Sequence, residues 1–176
     1  MNGPDLLVRA RAVRLLILDV DGVLTDGSLY FTARGEEMKR FDARDGHGMR
    51  MLSEAGVRIA IVSGRSSEAV ARRAEGLGIT EVLQGLEDKL AACQALAGRC
   101  GLALENCAAL GDDLPDLPVL RRAVLAASVP GAPAPVRAAA HYITEREGGH
   151  GAVREVCEFI LNAQGKLDGA VARYLA

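Results

Sequence analysis

Short aliphatic runs alternate with helix-forming segments along most of this chain, and that alternation restricts the fold more than any other feature. Val13 to Asp19, Val57 to Val62, Glu81 to Leu83, Cys107 to Leu110 and Val124 to Ala127 read as strands, with His141 to Thr144 an edge strand. Helices are expected at Asp45–Glu54, Ser66–Leu77, Glu87–Arg99, Leu114–Arg122 and Gly151–Ala163. Short connections between them imply an α/β fold, a doubly wound (Rossmann-like) parallel sheet. Such sheets bind ligands at the carboxyl ends of their strands. Asp19, Ser63 and Asp112 each stand directly after an expected strand, so this fold gathers them at one edge.

At 176 residues the chain suits one domain, 1–176, with a substantial core. Only six residues are Phe or Tyr and none is Trp, so that core must consist of Leu, Val, Ile and Ala. A net charge of -2 argues against a nucleic-acid or anionic-membrane partner but allows a small anionic substrate beside local Arg and Lys residues. No apolar run reaches transmembrane length and no signal-peptide core is visible, so a cytoplasmic location is expected. Residues 1–12 read as a polar lead-in. Cys93, Cys100, Cys107 and Cys157 form no Cys-x-x-Cys pair and read as reduced, packed thiols.

Two segments interrupt the alternation. Leu29-Tyr30-Phe31 and Met38-Lys39-Arg40-Phe41 flank Ala33-Arg34-Gly35-Glu36, a β-hairpin insertion at about 27–42. It carries half of the aromatics and needs a surface to cover them. Pro130 to Pro135 reads as an ordered loop.

Asp19 and Asp21 are two residues apart at a strand end, where extended backbone points both the same way. Carboxylates so close repel unless a cation relieves them, and Mg2+, with its preference for oxygen, fits them together with Asp112. Phosphoryl transfer needs an in-line nucleophile, neutralised phosphoryl oxygens and a proton for the leaving alkoxide. Asp19 can be that nucleophile, forming an aspartyl-phosphate, and Asp21 the acid that later activates water. Ser63 can hold a phosphoryl oxygen, and Lys89, early in its helix, can supply a cation. Alone, each is ordinary: an Asp-x-Asp is more often a turn, and a Ser-Gly a helix entry. The four together in this order point to catalysis.

Asp19-Val20-Asp21-Gly22-Val23, Ser63, Lys89 and Gly111-Asp112-Asp113 resemble the four motifs of the haloacid dehalogenase-like hydrolase superfamily. The resemblance implies Mg2+ on the Asp19 carboxylate, the Asp21 backbone carbonyl and Asp112, supported by Asp113 and Asp116. Asp21 favours a phosphatase over a dehalogenase, because halide departs without a proton. The spacing leaves no room for a cap domain, so a neighbouring subunit is expected to complete the site at the hairpin.

Longer stretches resemble the 3-deoxy-D-manno-octulosonate 8-phosphate phosphatase family: Asp19 through Gly27, Arg44-Asp45-Gly46-His47-Gly48, Ser63-Gly64-Arg65, Gly111 through Val119, Gly148 through Glu155 and Ala163 through Leu167. Membership implies a homotetramer with packed hairpins, acting on a keto-sugar-acid phosphate in lipopolysaccharide precursor synthesis. Carried over by position, substrate contacts fall on Asp42, Arg44, Asp45, Gly46, Arg50, Arg65, Arg73 and Lys89. Guanidinium groups suit a substrate bearing carboxylate and phosphate, although Arg50 and Arg73 also read as a solvated helix face. Asp42 replaces the family's usual Asn, His47 a usual Tyr and His150 a frequent Arg, which bears on substrate identity rather than reaction type. A related nine-carbon keto-sugar-acid phosphate is the alternative substrate, and a phospho-accepting receiver domain the alternative class. The tail at about 164–176 is left without an assigned contact.

Overall fold

The computed structural model describes residues 4–35 and 37–175. Among the described residues eight strands form: β1 (Leu15–Leu18), β2 (Tyr30–Phe31), β3 (Glu37–Met38), β4 (Arg58–Val62), β5 (Glu81–Leu83), β6 (Cys107–Leu110), β7 (Leu125–Ser128) and β8 (Tyr142–Ile143). Six make one parallel sheet in the order β5-β4-β1-β6-β7-β8, while β2 and β3 form a separate antiparallel hairpin. The order reverses at β1, whose Leu15 to Leu18 pair with Arg58 to Ile61 on one side and Cys107 to Leu110 on the other. Asp19 therefore leaves the sheet at its central switch point. All four β1 side chains are buried, as a strand covered on both faces requires. Each fully buried Leu contributes about 1.5–3 kcal/mol relative to exposure.

The helices are α1 (Pro4–Ala12), α2 (Ala43–Glu54), α3 (Glu68–Leu77), α4 (Lys89–Arg99), α5 (Leu117–Leu120), α6 (Ala134–Ala139), α7 (Ala152–Ala163) and α8 (Leu167–Ala172). α7 packs against α1, α2 and α8, and α4 against α5. Residues 4–12 correct the expected lead-in. Leu6 and Ala10 are buried, and Arg9 and Arg11 donate to Val124 O at 3.1 Å and Ala163 O at 3.0 Å. The buried stripe at i and i+4 makes this segment an amphipathic helix; residues 1–3 lie outside the described residues. The expected proline loop ends in α6, with Pro135 tolerated in its first turn. The expected helix at 114–122 begins with a tighter turn at Leu114–Asp116 before α5. The hairpin forms as expected, though Glu36 of its turn lies outside the described residues. Its Tyr30, Phe31 and Met38 are exposed.

Candidate active site

After β1 the backbone makes one wide turn over residues 20–24, closed by Thr25 N–H donating to Val20 O at 3.0 Å. Gly22 has φ +90°, and a Cβ there would lie 2.0 Å from Asp112 Oδ2. Only glycine permits both the conformation and the approach of Asp112 to this turn. The segment after β8 braces it: Gly149 N–H donates to Val23 O at 3.0 Å, and a Cβ on Gly148 would lie 1.8 Å from Gly22 O. That accounts for the glycines near residue 150, to which sequence reasoning gave no structural role.

A cleft of about 470 Å³ opens over this edge, lined by Asp19, Asp21, Ser63, Arg65, Lys89, Asp112, Asp113 and Asp116 among others. Lys89 is the first residue of α4, whose start is capped by Asp88 accepting from Ala91 N–H at 3.0 Å. Its Nζ donates to Asp19 Oδ1 at 2.5 Å and to Asp116 Oδ1 at 2.7 Å. Burial opposes that charge, but the Asp19 and Asp116 carboxylates outweigh it and hold the ammonium above its ordinary range. Asp116 Oδ2 accepts the Asp112 and Asp113 N–H groups at 3.1 and 3.2 Å, so one carboxylate ties Lys89 to the loop after β6. Ser63 Oγ accepts the Arg65 N–H at 3.2 Å and keeps its own proton to donate.

Oxygens of Asp19, Asp112 and Asp116 lie within 4.8 Å of one another. Burial foremost, then the charge of Asp116, pushes the Asp19 carboxyl up to about 6. Burial and the charge of Asp19 push Asp112 up to about 8. An all-oxygen cluster with excess negative charge suits a hard divalent cation such as Mg2+.

The other expected contacts gather elsewhere. Asp42 caps α2 by accepting the Arg44 N–H at 2.7 Å, and it pairs with the Arg44 guanidinium at 2.7 Å. Hydrogen bonds from that guanidinium hold its carboxyl down at about 2, so its charge is locally neutralised. Arg73 lies over the Phe41 ring at 5.9 Å and donates to Asp42 O at 3.4 Å, close enough to Gly46 that a Cβ there would lie 2.2 Å away. Asp45 is buried and accepts the Arg154 N–H at 2.7 Å, joining α2 to α7, while its other oxygen is buried without a hydrogen-bond partner among the described residues. Arg50 is exposed on α2 and does not line the cleft. His47 bridges Arg154 and Tyr174 at 2.8 Å each, and His150 Nε2 lies 3.4 Å from an Arg40 nitrogen. Neither histidine belongs to the carboxylate cluster.

Sequence reasoning passed over Lys39, which is bonded to Asp21 and lies 3.2 Å from Glu37. Its signal is no more than a brief alternation, with Glu37 and Lys39 turned inward and Met38, at the end of β3, exposed.

Residues 47–123 match the model of the haloacid dehalogenase-like hydrolases. The chain is 46% identical over 166 residues to 3-deoxy-D-manno-octulosonate 8-phosphate phosphatase of Escherichia coli K12, covering 94% of this chain and 88% of that protein. It superposes with TM-score 0.96 on a probable YrbI family phosphatase from Pseudomonas syringae, at 50% identity and 99% coverage of both chains. The Moraxella catarrhalis 3-deoxy-D-manno-octulosonate 8-phosphate phosphatase, solved with magnesium, phosphate and KDO, superposes with TM-score 0.95 at 44% identity, covering 97% of this chain and 98% of that one. With the carboxylate cluster, Lys89 and Ser63 at one sheet edge, this chain belongs to the 3-deoxy-D-manno-octulosonate 8-phosphate phosphatase family of haloacid dehalogenase-like hydrolases.

Proposed function

We propose that this protein hydrolyses 3-deoxy-D-manno-octulosonate 8-phosphate to the free sugar acid and phosphate, with Mg2+, as a step in lipopolysaccharide precursor synthesis. The observation that carries the reading is Asp19 at the sheet's switch point, fixed by Lys89 and clustered with Asp112 in a cleft that also holds Asp21, Ser63 and Arg65.

Asp19 attacks phosphorus, forming an acyl-phosphate as the ester O–P bond breaks, and Asp21 gives its proton to the departing sugar oxygen. Asp21 then takes a proton from the water that attacks the acyl-phosphate, which releases phosphate and restores Asp19. Ser63 and Lys89 hold the phosphoryl oxygens throughout. Bound by the Asp19 carboxylate, the Asp21 carbonyl and Asp112, Mg2+ would neutralise phosphoryl charge. Arg65, half exposed at the mouth, is available to the substrate's anionic groups. Asp42, Arg44, Asp45, Gly46, Arg50 and Arg73 lie outside this cleft; we assign substrate contacts in the assembled oligomer to the exposed Arg44 and Arg50, while Asp45 and Gly46 are buried within α2. Exposed Tyr30, Phe31 and Met38 support hairpin packing in a homotetramer. Four unpaired cysteines, three of them buried, support a reducing cytoplasmic setting.

Phosphate release from the eight-carbon and nine-carbon keto-sugar-acid phosphates, with and without Mg2+, tests the reading. A higher kcat/KM for the eight-carbon substrate is expected; preference for the nine-carbon one would overturn the assignment.

A further inference from the structure

Four charged side chains from three separate segments close a ring at the mouth of the cleft. Lys39 Nζ bonds Asp21 Oδ1 and lies 3.2 Å from Glu37 Oε1. Arg65 lies 3.4 Å from Glu37 Oε1 and 3.7 Å from Asp21 Oδ2. Charges alternate around the ring, and each carboxylate meets both cations. The side chains differ in exposure: Lys39 is 1% exposed, Glu37 14%, Asp21 22% and Arg65 48%. A buried ammonium must be paired, and here both its partners are carboxylates of this chain. The accessible cation is Arg65, which suits an incoming anion.

We propose that Lys39 is the positioning residue for Asp21, holding its carboxyl toward the leaving oxygen when substrate draws Arg65 away, with Glu37 keeping Lys39 in place. The proposal rests on the phosphatase reading above. It also gives the hairpin a function within its own chain: Met38 faces outward while Glu37 and Lys39 reach back to the acid/base. Lys39 acts through Asp21 and needs no contact with substrate.

The test compares Lys39→Met on the sugar-acid phosphate and on para-nitrophenyl phosphate, whose aryloxide departs without a proton. Expected is a fall in kcat/KM on the order of 10²-fold for the sugar-acid phosphate, the lower end of what a well-placed general acid supplies. For the aryl phosphate, the loss should be only a few-fold. Lys39→Arg should recover part of the difference, and Glu37→Gln should show the same selective loss more weakly. In an Asp21→Asn background, adding Lys39→Met should cost almost nothing more, because its partner is already lost. Equal losses on both substrates would reduce Lys39 to a structural role. An undiminished loss in the Asp21→Asn background would make it a substrate contact. Either result overturns the proposal. Wild-type turnover of the sugar-acid phosphate with Mg2+, measured in the same series, separates the two levels. Its absence contradicts the phosphatase reading itself.

Discussion

Lys89 Nζ sits 2.5 Å from Asp19 Oδ1 and 2.7 Å from Asp116 Oδ1, so one ammonium joins the nucleophile to the loop that carries Asp112. Asp116 passes the restraint on through the backbone N–H groups of Asp112 and Asp113. Lys89→Ala should therefore lower kcat by about 10²–10³-fold, as loss of one charge-stabilising donor does. Two buried carboxylates would also be left unpaired, so the variant should melt lower in chelator than the parent. Steady-state kinetics with thermal melting checks both.

Gly22 is a point where sequence, backbone and metal site meet. A methyl group there would lie 2.0 Å from Asp112 Oδ2, at a φ of +90°. Gly22→Ala should displace Asp112 and raise the Mg2+ concentration needed for half-maximal activity by at least about 10-fold, the effect typical of disturbing a ligand's support. Mg2+ titration of activity measures it, and an unchanged midpoint would remove Asp112 from the metal site.

The raised carboxyls fix the sign of a pH effect. Asp19 and Asp112 are pushed up to about 6 and about 8 from 3.8, so the folded protein without metal binds more protons than the unfolded chain between those limits. The contribution of these two groups to stability is then fullest below the ordinary carboxyl value and declines as pH rises through that window. In chelator, Tm should fall between about pH 5 and about pH 8. Saturating Mg2+ binds the ionised carboxylates and should remove most of that fall. A Tm that rises with pH in chelator would contradict the burial of these groups.

The exposed hairpin makes a prediction about assembly. Phe31→Ser together with Tyr30→Ser should shift the proposed homotetramer to smaller species by light scattering and lower activity on the sugar-acid phosphate. A double variant that remains tetrameric would move the interface elsewhere.

The residues most legible in the sequence were those whose burial forces an apolar run. β1, β4 and β6 are such runs; Asp19 and Ser63 follow the first two directly, and Asp112 follows the third after Gly111. α1 escaped notice because its buried side is narrow, with Leu6 and Ala10 set among charged residues. Lys39 escaped because two-residue strands have almost no pattern of their own, and its partner Asp21 is 18 residues away. Arg50 turns out to solvent, as its reading on a solvated helix face allows, whereas no local signal reports that Asp45 turns into the α7 contact.

The central claim is that phosphoryl transfer passes through Asp19. Rapid quench of the protein during turnover of the sugar-acid phosphate with Mg2+, followed by mass spectrometry, tests it most directly. A phosphoryl group should appear on the peptide carrying Asp19 and chase to free phosphate, while Asp19→Asn should show neither adduct nor turnover. Normal phosphate release by Asp19→Asn, with no adduct at any time in the parent protein, would contradict it.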